Sequence, residues 1–109
     1  MIIDFNTMES ASIPHFKGGE KELNVKMFFD GTNRIMNATL LPGASIGMHT
    51  HETSSETIFI TEGCGTVIED GEPMEISAGQ CHYCPKGHTH SMINTGSEPL
   101  RFLAVVPEQ

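Results

Sequence analysis

The chain has 109 residues, enough for one domain whose core needs no disulfide staples. Fourteen acidic against six basic side chains leave a formal charge of −8, and the lysines and arginines are scattered singly, which excludes a nucleic-acid stripe or an anionic membrane surface as partner. No stretch nears the roughly 20 apolar residues of a membrane span, Met1-Ile2-Ile3-Asp4 lacks the start of a secretory signal, and three cysteines read as free thiols, so a cytoplasmic protein is expected.

Residues 1–24 are polar, carry Gly18-Gly19 and show no clean alternation. They read as an N-terminal arm, placed to pair with the sheet edge of its own barrel or of a partner subunit. From residue 25 to 107, short apolar stretches are separated by regular turn signals, the pattern of an all-β sandwich or barrel. Asp30-Gly31-Thr32-Asn33 divides 25–29 from 35–41, and Pro42-Gly43 leads into a strand carrying His49 and His51. Thr53-Ser54-Ser55 turns the chain before 56–61, and Gly63-Cys64-Gly65 precedes 66–69. Asp70-Gly71 is a hairpin signal. Ala78-Gly79, Lys86-Gly87 and Thr95-Gly96-Ser97 punctuate three more strands, the last over 100–106. No segment longer than about ten residues keeps a helical period.

Chemistry concentrates in two clusters. The first is Gly43, five residues, His49-Thr50-His51, four residues, Glu56, six residues, Gly63. The second is Gly79, five residues, Pro85-Lys86-Gly87, two residues, His90, three residues, Asn94. Alternation along a strand puts His49 and His51 on one side. Two imidazoles on one face, a carboxylate shortly after and a third imidazole later make a transition-metal ligand set.

At these residues the chain resembles the cupin superfamily, whose motifs are G(X)5HXH(X)3–4E(X)6G and G(X)5PXG(X)2H(X)3N. Every specified position is matched, over residues 43–94, about half of the chain. The resemblance implies a small antiparallel β-barrel of jelly-roll type (a double-stranded β-helix). It also implies one divalent transition metal ion held by His49, His51, Glu56 and His90, and a homodimer. The glycines would supply turn geometries that a Cβ resists, Pro85 would fix φ where a strand ends, and Asn94 would stabilise a turn. Three imidazoles and a carboxylate suit Mn, Fe, Ni, Cu or Zn. Four such ligands saturate a tetrahedral zinc and leave two open positions on an octahedral ion.

Beyond the ligands, His88 is the first candidate for a general acid or base. His82 and Tyr83 occupy opposite faces of one strand, so only one faces the cavity; Tyr83 there would donate a hydrogen bond to a metal-bound ligand. Cys81 and Cys84, three apart on a strand, face opposite ways and read as structural thiols, not a redox pair. Ile58 and Ile60 share the Glu56 face and Phe59 takes the other. Before the first motif, Arg34, Met36, Ala38 and Leu40 share one face and Ile35, Asn37, Thr39 and Leu41 the other, and either face fits the interior. Arg34 is the natural carboxylate-binding candidate.

The leading expectation is a metal-dependent enzyme acting on a small polar metabolite, a sugar, uronate or carboxylate, with the metal as Lewis acid or O2 site. Isomerase, dioxygenase, lyase and decarboxylase chemistry all fit the ligand set. The alternatives are a small-molecule binding or sensing barrel without turnover and a metal-stabilised structural dimer.

Overall fold

The computed structural model describes all residues 1–109. Ten strands follow in chain order: β1 (Ala11–Pro14), β2 (Glu22–Phe29), β3 (Asn33–Leu40), β4 (Ser45–Thr50), β5 (Glu56–Glu62), β6 (Cys64–Glu69), β7 (Glu72–Ser77), β8 (Cys81–Cys84), β9 (Thr89–Ile93) and β10 (Leu100–Pro107). They form a six-stranded sheet, β1-β2-β3-β10-β5-β8, and a four-stranded sheet, β4-β9-β6-β7. Every strand pair is antiparallel. From β3 onward the chain passes from one sheet to the other at every connection except the β6–β7 hairpin, in the jelly-roll manner. The only helical pieces are three-residue 3-10 turns at Phe5–Thr7 and Phe16–Gly18, and no helix is long and apolar enough to cross a membrane.

The turn chemistry explains the hairpins. Asp70 and Gly71 both take the left-handed backbone that a two-residue β6–β7 turn demands. Between β2 and β3 the Asp30 carboxylate accepts the backbone N–H groups of Thr32 and Asn33 at 2.9 and 2.7 Å, and these bonds hold its pKa below the ordinary value. The motif glycines Gly43, Gly63, Gly79 and Gly87 all have positive φ, as their turn positions require.

Sixteen buried apolar side chains fill the space between the sheets. Alternation decides which enter. On β10, Leu100, Phe102, Ala104 and Val106 point inward, and on β5, Ile58 and Ile60 do so while Phe59 stays outside. β3 turns its Arg34-Met36-Ala38-Leu40 face to the interior, leaving Asn37 and Thr39 on the outer face. Burying a side chain the size of Phe102 contributes roughly 2–3 kcal/mol.

The N-terminal segment joins the large sheet through its own chain: β1 lies antiparallel on β2, and Leu23 of β2 is fully buried. Between β1 and β2, His15, Lys17 and Lys21 all adopt left-handed backbone conformations. This kinked turn docks against β4 so closely that a Cβ on Gly19 would lie 2.1 Å from the Ser45 carbonyl oxygen. A Cβ on Gly47 would lie 2.0 Å from that of Lys17. Only two glycines permit that approach.

Candidate metal centre

Sequence alternation and a register defect together assemble the cluster. Along the β4–β9 ladder Ile46 faces Met92 and His49 faces His90, so β4 carries one extra residue between those pairs. The bulge lets core residue Ile46 and His49 both face inward, three positions apart, while Met48 points to solvent. His51 follows just beyond β4, its N–H bonded to the His88 carbonyl at 3.0 Å. Glu56 opens β5 on the face shared by Ile58 and Ile60, and His90 lies on β9.

The four side chains converge. The ligating atoms of His49, His51, Glu56 and His90 all lie within 4.8 Å of one another. His90 Nε2 is 2.9 Å from His51 Nε2, 3.0 Å from Glu56 Oε1 and 3.2 Å from His49 Nε2, and His51 Nε2 is 3.1 Å from Glu56 Oε1. One N–H cannot serve three neighbours, so hydrogen bonding alone leaves this group of acceptors frustrated. A divalent cation at the centre would resolve it. With metal–nitrogen bonds of about 2.1 Å, donors at right angles stand about 3.0 Å apart and tetrahedral donors about 3.4 Å. The observed separations match the right-angled case.

Each imidazole is oriented from behind. His49 Nδ1 lies 2.8 Å from the Gly47 carbonyl, which can only accept, so Nδ1 carries the proton and Nε2 offers its lone pair to the cluster. His51 Nδ1 meets the Ser54 hydroxyl at 2.9 Å, and His90 Nδ1 meets His82 Nε2 at 3.0 Å. Behind His82, the Glu69 carboxylate stands 3.9 Å from Nδ1. Such partners fix the tautomer and aim of metal-ligating histidines.

The electrostatics suit a cation. Burial would raise the Glu56 pKa, but hydrogen bonds with His51 and His90 outweigh it and hold the carboxyl at about 2. Burial lowers His49, with His90 adding to the effect and the Gly47 carbonyl opposing it. Burial, reinforced by His90, takes His82 down to about 4. Near pH 7 Glu56 is therefore ionised and His49 and His82 are held toward their neutral forms, which suits a cation.

His88 and Tyr83 do not join it. The His88 side chain is 43% exposed and bonds the Asp70 carboxylate at the barrel surface, because the turn that delivers its carbonyl to His51 sends its ring outward. On β8 the alternation buries His82 and Cys84 and exposes Cys81 and Tyr83, so His82 is the one that faces inward. Asn94 is a turn residue, as expected: its amide donates to the carbonyls of Leu40 and Glu98 at 2.8 and 2.9 Å, and its oxygen accepts from Gly96 N–H at 3.0 Å. Ser54 and the Gly47 carbonyl escaped the sequence reading. A serine in a turn-forming run and a backbone oxygen carry no pattern of their own.

Three of the four converging residues, His49, His51 and Glu56, line a cavity of about 290 Å³ whose apolar lining is Phe16, Met36 and Val106.

A family model for the cupin domain matches residues 36–106. An oxalate-binding protein of Thermotoga maritima is 30% identical over 97% of this chain and 93% of its own length. A solved structure from the same organism, described as a predicted oxalate decarboxylase, superposes with a TM-score of 0.93 at 29% identity, covering 100% of both chains. A sugar phosphate isomerase from Silicibacter pomeroyi shares the fold at 20% identity and a TM-score of 0.79, over 100% of this chain and 76% of that one.

Proposed function

The chain belongs to the cupin domain family, and on that footing we propose that it binds one divalent transition metal ion through His49, His51, Glu56 and His90 and seats a small carboxylate beside it. The observation that carries this reading is the convergence of four donors at right-angle spacing in the wall of a small cavity. Right-angle spacing favours an octahedral ion, Mn(II), Fe(II) or Ni(II), over tetrahedral zinc. The carboxylate class rests on the name of the Thermotoga relative, an oxalate-binding protein.

When bound, the ion supplies a Lewis acid for a carboxylate or carbonyl oxygen. The chain's own residues do the rest. Gly47, Ser54 and His82 hold the three rings in aim. Glu56 contributes one negative charge, so the loaded site keeps a net positive charge for an anion. Met36 and Val106 exclude water from one wall, which strengthens electrostatic attraction inside. A second reading, binding without turnover, is favoured by the placement of His88 and Tyr83 outside the cavity, which removes the expected general acid or base and the expected hydrogen-bond donor.

The test is elemental analysis of protein purified without chelator, beside His51→Ala. A near-stoichiometric divalent metal that the variant loses supports the proposal, with Mn, Fe or Ni bearing out the octahedral preference and zinc overturning that preference alone; no metal in either protein refutes it. Loaded protein incubated with oxalate then separates the two readings: release of formate and CO2 marks a decarboxylase, and unchanged oxalate marks a binding protein.

The expected homodimer belongs to the same proposal. Phe59, Tyr83 and Leu103 are exposed on neighbouring strands of the large sheet's outer face, an apolar area that a second copy would cover. Light scattering after size exclusion should give twice the monomer mass, and Leu103→Glu should give the monomer. A cytoplasmic location fits three unpaired thiols.

A further inference from the structure

We propose that Arg34, assisted by Lys17, forms an anion subsite in the metal cavity that selects dianionic over monoanionic carboxylates. The proposal rests on the carboxylate reading above and adds to it the residue that sets its specificity. Arg34 lies on the inner face of β3, opposite Val106 of β10, and lines the same cavity as His49, His51 and Glu56. Its Nε is buried without any hydrogen-bond partner, the only such side-chain nitrogen or oxygen in the chain. A buried unpaired donor costs roughly 1–3 kcal/mol and calls for an explanation. A bound anion supplies one.

The guanidinium is preformed for that task. It sits 4.6 Å from the Phe29 ring centroid, which holds the plane without occupying any N–H. No carboxylate lies within ion-pair distance of it; among lysines and arginines, only Arg101 has such a partner. Lys17 reaches the cavity from the left-handed turn beside Phe16 and likewise has no ion pair. A chain with only six basic side chains and a net charge of −8 thus places two of them around one cavity of about 290 Å³. Glu52 and Glu108 line it too, but neither pairs with Arg34 or Lys17. Arginine's fork matches a carboxylate with two parallel hydrogen bonds. A diacid can place one carboxylate toward the metal side and the other toward Arg34; a monoacid can satisfy only one of the two.

The experiment is calorimetric titration of Mn(II)-loaded protein with oxalate, malonate and acetate, for the wild type, Arg34→Gln and Arg34→Lys, with Mn(II) occupancy followed by electron paramagnetic resonance. The wild type should bind a diacid at least tenfold more tightly than acetate. Arg34→Gln should keep its Mn(II) and lose on the order of 30-fold in diacid affinity while acetate changes less than threefold. Arg34→Lys should recover part of the loss. Wild-type diacid affinity in Arg34→Gln with Mn(II) in place would overturn the subsite and leave the carboxylate reading standing. A wild type that holds Mn(II) but binds no carboxylate would overturn both.

Discussion

His82 offers a clean test of the reasoning, because its perturbation is large and isolable. Its ring is buried behind His90, and burial together with His90 takes its pKa to about 4 against an ordinary 6.5. A histidine held below its ordinary value binds its proton more weakly in the folded state than in the unfolded one. Its stabilising contribution is therefore whole above about pH 6.5, declines as the pH falls toward 4, and is constant below. For a shift of this size, the metal-free protein should lose about 2 kcal/mol through His82 alone between pH 7.5 and 5. Replacing His82 by Gln keeps an acceptor for His90 Nδ1–H and removes the titration. Urea denaturation of chelator-treated wild type and His82→Gln at both pH values measures the difference. The wild type should fall by about 2 kcal/mol more than the variant. Parallel losses, within about 0.5 kcal/mol, would refute the buried neutral histidine and with it the orienting role given to that ring.

The remaining predictions are independent of that one. Asn94→Ala removes three hydrogen bonds of a fully buried amide and should cost about 3 kcal/mol, read as a drop in melting temperature on the order of 10–20 °C; a drop below about 3 °C would show the turn is held otherwise. Metal affinity should hold between pH 8 and 7 and fall steeply toward 5, because the ligating histidines must be neutral while Glu56 remains ionised down to about 2; Mn(II) titrations that are flat to pH 5 would contradict the three-histidine site. A thiol reagent at pH 8 should label Cys64 and Cys81 in the native protein and Cys84 only on unfolding, since burial, with Glu69 adding, pushes the Cys84 thiol up to about 12; three fast thiols would place Cys84 at the surface.

The convergence of His49, His51, Glu56 and His90 was legible because their spacing encodes strand geometry. Glu56, Ile58 and Ile60 share a face by alternation, and the glycines that frame the motifs occupy turns with positive φ. The hairpin at Asp70-Gly71 was readable for the same reason, since its backbone conformation demands those residue types. What escaped was set by tertiary register. Nothing in 45–50 announces that β4 bulges between Ile46 and His49, yet the bulge decides that an apolar residue and a cluster histidine three positions apart both face inward. The inner face of β3 was ambiguous because it begins with Arg34, and a charged residue there is tolerated only where the barrel opens into a cavity. His88 misled because proximity to His90 in sequence says nothing of a turn that aims the carbonyl inward and the ring outward.

The contact between the kinked N-terminal turn and β4 has a consequence for how this chain can diverge. Gly19 and Gly47 leave no room for a side chain on either, and the Gly47 carbonyl also holds His49. A descendant that keeps the turn is bound to keep both glycines. One that rebuilds the first 20 residues frees both positions at once, because the Cβ clashes at 47 are with Lys17 and Gly19 of that turn and any residue at 47 still offers its carbonyl to His49. Drift in the N-terminal segment is thereby tied to the strand that carries His49, and the two positions should be retained or abandoned as a pair across the chain's descendants.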